Sequence, residues 1–390
     1  MPTSKLPGSL KRLTRWLLPA LVSLGAAACG GGYSVEFGFV DDHHGHDRPD
    51  RPDHHDEAPR DPGLFLFAGD VCQCGGSLDG TGPGARFNGP EGIVADADGN
   101  LYVADRSGPT IRKITPQAVV TTLAGAADSA GSSDGVGASA RFSSPSRLDS
   151  DRDGNLYVTD AGNSTIRRVS REGVVTTLAG RADTCGSADG TGTNATFCGP
   201  QGIVLDRRGN LYVTDTLNHT VRRIDTDGRV STVAGAAGAC GSSDGRGAAA
   251  RFCQPQDITL DGAGNLYVAD TANSTIRKIT PAGDVTTIGG RANECASADG
   301  NADTSRFCGP NGITVDMTGD VYVADTGNAT IRRISPRGTV STIAGVPGRN
   351  GIVLGPLPGG LSGPLGLALT DTGTLAITSN NLVLKLVLPQ

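Results

Sequence analysis

The sequence predicts an all-β protein built as a closed ring of six four-stranded antiparallel sheets, on three observations. First, an aromatic slot recurs every 55 residues, at Tyr102, Tyr157, Tyr212, Tyr267 and Tyr322. Second, each of the first five units contains four short runs rich in β-branched residues, separated by turn sequences such as "DADG" and "TDG". Third, the sixth unit stops before its fourth run, while an extra run, "LFLFAG", precedes the first unit. A ring closed by its N-terminal strand accounts for all three observations.

Composition agrees with this fold class and excludes one class of partner. The 390 residues include 58 glycines, with 4% aromatic and 19% charged residues, which suits short strands joined by many turns. The formal net charge is −6, so the sequence does not suggest the strongly basic face that nucleic acid attracts. We therefore expect no nucleic-acid partner.

Residues 1–28 are predicted to be a signal peptide that directs export. Four cations precede "WLLPALVSLGAAA", an apolar run of thirteen residues that is too short to span a bilayer. The small residues directly before Cys29 resemble the lipobox of bacterial lipoproteins. That resemblance implies an acylated Cys29 and a protein anchored to a membrane of the bacterial cell envelope; ordinary cleavage near a free Cys29 is the alternative.

Residues 29–63 are predicted to be a disordered tether. The segment has no apolar period, is highly charged and is interrupted by prolines, so it cannot bury enough surface to fold. It contains five histidines, namely His43, His44, His46, His54 and His55. With the neighbouring aspartates these side chains could hold a divalent transition metal, although a solvated spacer is the interpretation we favour.

Residues 64–390 are predicted to form the ring, a six-bladed β-propeller. The first strand of each blade is expected to start near residues 93, 148, 203, 258, 313 and 367. Residues 64–69 supply the strand that the last blade lacks. This arrangement removes exposed sheet edges, which an open array of the same units would keep.

One unit, "PQGIVLDRRGNLYVTDTLNHTVRRIDTDGRVSTVAG", resembles the NHL repeat, and the resemblance extends over residues 64–390 in six copies. It implies the six-bladed propeller. Propellers of this group include lyases, gluconolactonase-type hydrolases, and protein- or RNA-binding modules, so the resemblance implies a fold more than a function.

Residues that recur in five units are predicted to be structural, because a single catalytic centre does not need five copies. An aspartate ends the second strand and an arginine lies in the third, as in Asp215 and Arg222. A further aspartate in each long connection, such as Asp189 in "SADG", is interpreted as a turn residue. An acidic or calcium-binding rim is the alternative for that second set.

The cysteines of the repeat predict disulfides and an oxidising compartment. Three pairs share a spacing of thirteen: Cys185 and Cys198, Cys240 and Cys253, and Cys295 and Cys308. In the second unit both slots are empty together, with Ala130 and Ser143 in their places. Paired presence and paired absence are what bridges within one loop produce. Cys72 and Cys74 remain and could bridge each other, although a bridge across a single residue is strained.

A binding site is expected where the repeat departs from its own pattern. The two slots after the proline that starts each first strand vary in chemistry and should rim the central channel. The candidates are Glu91, Arg147, Gln201, Gln256, Asp257 and Asn311. Such a ring could bind a small polar ligand or a divalent cation, with Glu91, Asp257 and Asn311 as the cation ligands; a solvated channel mouth is the plainer interpretation.

The sequence therefore predicts a monomeric binding or scaffold module. It would engage a protein, a peptide or a small polar ligand on its long-loop face, the end of the ring where the long connections between units lie. The alternative is a metal-dependent hydrolase or lyase centred in the channel. His219 is the one histidine after residue 64, so no Ser-His-Asp arrangement can be assembled. No catalytic residue and no certain cofactor are assigned.

Overall fold

The computed structural model describes residues 61–72, 74–370 and 373–389. The predictions for the signal peptide, for Cys29 and for the tether histidines lie outside the described residues. Among the residues that are described, no helix has the length and apolar character needed to cross a membrane.

Six antiparallel sheets, here called blades 1 to 6, surround a central channel. In each blade we name the strands A to D from the channel outwards. The A strands are Pro90–Ala95, Pro145–Ser150, Pro200–Leu205, Pro255–Leu260, Pro310–Val315 and Pro364–Leu369. Each A strand contacts the next one around the ring, and the sixth contacts the first. The ring is closed, as predicted.

The outer strands follow in the same order in every blade. The B strands are Leu101–Asp105, Leu156–Asp160, Leu211–Asp215, Leu266–Asp270, Val321–Asp325 and Leu375–Ser379. The C strands are Thr110–Ile114, Thr165–Val169, Thr220–Ile224, Thr275–Ile279, Thr330–Ile334 and Leu382–Val387. The D strands are Val119–Gly125, Val174–Ala179, Arg229–Gly235, Asp284–Gly290, Val340–Ala344 and, for blade 6, Gly63–Ala68.

The N-terminal strand closes the ring by completing blade 6. Gly63–Ala68 pairs antiparallel with the C strand of that blade, with Leu64 opposite Leu386. Leu64 and Ala68 are fully buried. The strand begins and ends one residue earlier than the sequence predicted.

Five blades carry a fifth short strand outside the D strand, which the sequence analysis did not predict. These strands are Gly80–Thr81, Gly135–Val136, Gly190–Thr191, Gly245–Arg246 and Gly355–Pro356. Each belongs to the long connection that precedes its blade, which folds back along the D strand. In blade 5 an isolated bridge between Gly300 and Val340 takes this place. The long connections therefore protect the outer edges of the sheets.

Single turns of 3-10 helix complete two kinds of connection. Those between strands B and C are Ala161–Asn163, Thr216–Asn218, Thr271–Asn273 and Thr326–Asn328. Those in the long connections are Gly82–Gly84, Gly137–Ser139, Gly192–Asn194 and Gly247–Ala249. His219 closes one of the first kind in a left-handed conformation (φ 59°), so it is a loop residue.

In each of blades 1 to 5, a fully buried arginine links two aspartates. In blade 3, Arg222 Nη1 donates to Asp215 Oδ2 at 2.7 Å, and its Nη2 donates to Asp189 Oδ1 at 2.8 Å. The guanidinium also lies 5.2 Å from the ring centroid of Phe197. The equivalent arginines are Arg112, Arg167, Arg277 and Arg332. The structure confirms the predicted pairing of aspartate and arginine within each unit.

The aspartates of the long connections are more than turn residues, because they anchor those connections to the blades. Asp134 Oδ1 accepts from Arg167 Nη2 and from Thr177 Oγ1, and its Oδ2 accepts from Thr177 N. Burial raises the pKa of Asp134, but these hydrogen bonds outweigh burial and leave the pKa below its ordinary value. Since both oxygens are engaged, the alternative of a free acidic or calcium-binding rim has no support in this geometry.

The three predicted disulfides are present: Cys185–Cys198, Cys240–Cys253 and Cys295–Cys308. They brace the long connections that enter blades 3, 4 and 5. The proposed bridge between Cys72 and Cys74 stays a prediction.

Blade 2 offers a native template for removing one bridge. Replacing Cys240 by Ala and Cys253 by Ser copies the residues that blade 2 has in these slots. We expect the free energy of unfolding to fall by about 3 kcal/mol, the loop-closure entropy of a short bridged loop. Denaturant unfolding without reductant measures the difference, which should vanish when both proteins are reduced and alkylated. Equal stability of the two unreduced proteins would contradict the expectation.

Candidate functional site

The propeller has two different faces. At one end of the blades, here called the long-loop face, the A strands begin. The B–C connections and the long D–A connections also lie at this end. The A–B and C–D turns lie at the other end, here called the hairpin face. The six candidate residues stand at the start of the A strands, at the mouth of the channel on the long-loop face.

Close packing of adjacent A strands explains why glycine dominates the second candidate slot. A Cβ added to Gly202 would lie 2.7 Å from the Asp257 Cα, and one added to Gly366 would lie 2.2 Å from the Glu91 carbonyl oxygen. A side chain at this slot must leave the strand towards the channel. Arg147 and Asp257 are the two large exceptions, so each enters the channel mouth.

The guanidinium of Arg147 crosses the channel and joins five of the six blades. From blade 2, its Nη1 lies 3.5 Å from Glu91 Oε1 of blade 1, and its Nε lies 3.3 Å from Asp257 Oδ2 of blade 4. Its Nη2 donates to Asn311 Oδ1 of blade 5 and, at 3.4 Å, to the Leu365 carbonyl of blade 6. The side chain is 4% exposed, so these partners enclose the guanidinium.

The remaining amides divide into one that joins this network and one that does not. Asn311 Nδ2 donates to Gln256 Oε1. The side chain of Gln201 stands apart, and its buried Oε1 has no hydrogen-bond partner in the described part of the chain. Five of the six candidates therefore form one cluster, which we call the mouth cluster: Glu91, Arg147, Gln256, Asp257 and Asn311.

The two acids of the mouth cluster differ in the number of their cationic partners. Glu91 Oε2 also accepts from Arg106 Nη1 at 2.7 Å, so Glu91 has two cationic partners. Asp257 accepts from the backbone amides of Ile258 and Ile313, with Arg147 as its one charged partner among the described residues. Burial raises the pKa of Asp257 above its ordinary value, and the positive charge of Arg147 opposes that rise.

A third acid of the channel, Asp149, is half-buried and lies deeper than the mouth cluster, and the sequence patterns did not predict it. Its Oδ2 accepts from the backbone amide of Leu205 in the next blade at 2.7 Å. Burial raises the pKa of Asp149 to about 6. The signal was present, since the equivalent positions hold Val94, Val204, Thr259, Thr314 and Ala368. Asp149 and Asp257 line a channel cavity of about 180 Å³.

The mouth cluster does not fit the divalent cation considered for Glu91, Asp257 and Asn311. The Arg147 guanidinium contacts all three side chains and so takes the place that a cation between them would need. Over the described ranges, no three His, Cys, Asp or Glu side chains are grouped closely enough to hold a metal ion.

Comparison with known proteins identifies the repeat. A sequence model of the NHL repeat matches residues 87–113, 197–224, 252–279 and 307–334. Four of the six blades therefore contain an NHL repeat. The chain is 30% identical to NHL repeat-containing protein 2 from Bos taurus over 317 residues, which cover 72% of this chain and 44% of that protein. It spans less than half the length of the curated relatives that it matches.

Solved structures confirm the fold of this NHL propeller. An auxiliary nutrient binding protein from Bacteroides thetaiotaomicron aligns with a TM-score of 0.64 at 16% identity, covering 84% of this chain and 76% of that one. A gluconolactonase from Xanthomonas campestris aligns with a TM-score of 0.55 at 16% identity, covering 85% and 96%. At such identities the likeness shows the fold alone.

Proposed function

We propose that this NHL propeller is an exported binding module whose long-loop face receives a small polar ligand, or a polar group of a peptide or protein, at the channel mouth. The observation that carries the proposal is a set of polar atoms left without partners there. Ser146 Oγ and Gln201 Oε1 are buried in adjacent A strands and have no hydrogen-bond partner within the described residues. Each such atom costs about 1–3 kcal/mol, which a ligand that supplies the missing partner offsets.

The chemistry of the mouth suits binding by both donors and acceptors. Arg147 Nε and Nη1 lie near carboxylates at ion-pair distance but outside hydrogen-bond geometry, so these two buried donors also lack a hydrogen-bond acceptor within the described residues. A ligand with hydroxyl, amide or carboxylate groups could meet the guanidinium, the Ser146 hydroxyl and the Gln201 amide together. Three disulfides and the anchored long connections hold the surrounding loops in place, which lowers the ordering cost of binding.

The alternative of a metal-dependent hydrolase or lyase draws on the structural likeness to a gluconolactonase. It needs carboxylates that are available to a metal or a substrate. Arg147 engages Glu91 and Asp257, and His219 accepts a hydrogen bond from Gln254 N in its loop. The geometry therefore supports an enzyme less well than it supports a binding module.

Export is supported by the three disulfides, which form in oxidising compartments. Anchoring through an acylated Cys29 remains our proposal from the sequence. Incorporation of a labelled fatty acid, lost in Cys29→Ala, would test it.

The binding proposal makes a paired prediction for stability and affinity. Replacing Ser146 or Gln201 by alanine removes an atom that has no partner, so thermal stability should stay equal or rise slightly. Affinity for a ligand that fills the mouth should fall at least tenfold, about 1.4 kcal/mol. A set of amino acids, dipeptides and monosaccharides, assayed by thermal shift and then by calorimetry, supplies the probes.

Gln117→Ala, in an exposed C–D turn of the hairpin face, is the matched control and should bind every probe like the wild type. Unchanged affinity in both mouth variants would refute the proposed site. Elemental analysis of the same preparations tests the alternative, because a stoichiometric divalent cation that is lost in Glu91→Gln would favour an enzyme.

A further inference from the structure

A second cleft opens on the hairpin face between blades 3 and 4. Its volume is about 570 Å³, and it lies between the A–B turns of the two blades. The C strand of blade 3 contributes Arg223, and the C–D turn of blade 4 contributes Pro281. None of the lining residues belongs to the mouth cluster, so this cleft is a separate feature at the opposite end of the blades.

Three guanidinium groups line the cleft. The side chains of Arg207 and Arg208 have neither a hydrogen bond nor an ion pair within the described residues. Arg207 reaches towards blade 4, where its Nη2 lies 3.9 Å from the position that a Cβ on Gly262 would take. Arg223 Nη2 donates to Asn210 Oδ1 at 2.7 Å, while its Nε is buried and has no partner there.

The acids of the cleft do not neutralise these cations at close range, because their oxygens serve their own turns. Asp206 Oδ1 accepts from the backbone amides of Arg208 and Asn210, and its Oδ2 accepts from Asn210 Nδ2. Asp261 holds the neighbouring turn in the same way and also accepts from the Tyr267 hydroxyl. Three arginines against two aspartates leave the lining with a surplus of one positive charge.

A tyrosine in this cleft departs from the repeat. In four other blades the equivalent hydroxyl donates to the aspartate of its A–B turn, at 3.0–3.2 Å, from Tyr102, Tyr157, Tyr267 and Tyr322. The hydroxyl of Tyr212 makes no such bond to Asp206 and has no other partner in the described chain. The turn beside it is unusual in its two arginines, since blade 3 has "DRRG" where blades 1, 2, 4 and 5 have "DADG", "DRDG", "DGAG" and "DMTG".

We propose that this cleft binds a small organic anion through its phosphate or carboxylate group. The forked donors of Arg207, Arg208 and Arg223 match the oxygens of such a group, and the free hydroxyl of Tyr212 adds a neutral donor. Leu205, Leu260 and Pro281 form an apolar wall for the body of the ligand. The cavity has the size of small-molecule sites, which favours an organic anion over a bare inorganic ion.

Calorimetry on the whole propeller tests this proposal with defined probes: glucose 6-phosphate, glucuronate, neutral glucose and inorganic phosphate. Glucose 6-phosphate or glucuronate is expected to bind, more weakly as salt is raised, while glucose should give no heat of binding. Which of the two binds more tightly distinguishes a phosphate from a carboxylate ligand. Equal binding of glucose would overturn the proposal, and so would inorganic phosphate that binds as tightly as either organic anion, since that result means an adventitious ion only.

Variants taken from the repeat itself make the test specific. Arg208→Asp introduces the residue that blade 2 has at Asp153, so the turn should fold, but affinity should fall at least tenfold. Arg152→Gln removes the cation that blade 2 has in the place of Arg207 and should leave affinity unchanged.

Tyr212→Phe should weaken binding several-fold without loss of stability, because its hydroxyl has no partner to lose. Unchanged affinity in Arg208→Asp would refute the site, and the mouth variant Ser146→Ala, which should bind the anion normally, keeps this outcome separate from the proposed function.

Discussion

A chain that lacks residues 63–68 is expected to lose the stable, cooperatively unfolding propeller. This segment is the D strand of blade 6, where Leu64 lies opposite Leu386 and is fully buried. Its removal takes Leu64 from the core of blade 6 and Ala68 from the core between blades 6 and 1, and it breaks one full ladder of backbone hydrogen bonds. The loss should exceed the roughly 2–5 kcal/mol of a single large-to-small core substitution.

Blade 6 is the blade least able to tolerate this loss. At the places of the buried aspartate and arginine of the other blades it has Ser379 and Leu384, and the Ser379 hydroxyl binds the backbone of Ser362 instead. It therefore depends on apolar packing, to which Leu64 and Leu66 of the N-terminal strand contribute. Without that strand, Leu382–Val387 becomes an exposed sheet edge with apolar side chains, which favours aggregation.

Urea unfolding of two deletion chains measures the effect. One chain lacks residues 63–68, and its matched control lacks residues 50–55, six residues of the segment outside the described part. The control should unfold at the wild-type midpoint, whereas the first should unfold at much lower urea or aggregate during purification. Equal midpoints would mean that the ring does not depend on its N-terminal strand.

The blade count was predictable because each blade repeats the same residue types at the same step. The step marks the buried positions, such as Phe197 and Tyr267, and the unpaired run at residues 64–69 marks the closure. The disulfides were predictable for a related reason, since both cysteines of a pair are lost together in blade 2. The fifth strands were not predictable, because two residues such as Gly190–Thr191 are too few to show an alternating pattern.

That the irregular residues lie at the channel mouth was predictable from the sequence, but their contacts with one another were not. Arg147 and Asn311 are 164 residues apart and meet because the ring brings blades 2 and 5 to the same axis. No local pattern encodes which side chain crosses the channel. The role of Asp189 was hidden for the same reason, since its partner Arg222 lies 33 residues further along the chain.

Replacing Arg147 by methionine is expected to lower the free energy of unfolding by about 3–5 kcal/mol at neutral pH, the usual result of removing one partner from a buried ion pair. Asp257 accounts for most of the lost stability, because its other contacts are uncharged backbone amides. Glu91 carries less, because it keeps Arg106 at 2.7 Å. The substitution keeps a side chain of similar length in the channel, so lost packing contributes little.

The pH dependence of this deficit identifies its electrostatic origin. Burial already raises the pKa of Asp257, and loss of the nearby cation must raise it further. A carboxyl whose folded pKa lies above its unfolded value stabilises the fold when protonated, and that contribution is lost as pH rises through the folded pKa. The stability difference between variant and wild type should therefore be small near pH 4 and grow towards pH 7.

Second-site substitutions decide which acid is responsible, and urea unfolding of each protein at pH 7 is the measurement. Adding Asp257→Asn to Arg147→Met should restore most of the lost stability, because the neutral amide no longer needs a counter-charge in the channel. Adding Glu91→Gln should restore little, because Glu91 is still paired with Arg106. If both second changes rescued equally, the two acids would depend on Arg147 alike. If Arg147→Met were as stable as the wild type at pH 7, the guanidinium would not hold the blades together across the channel.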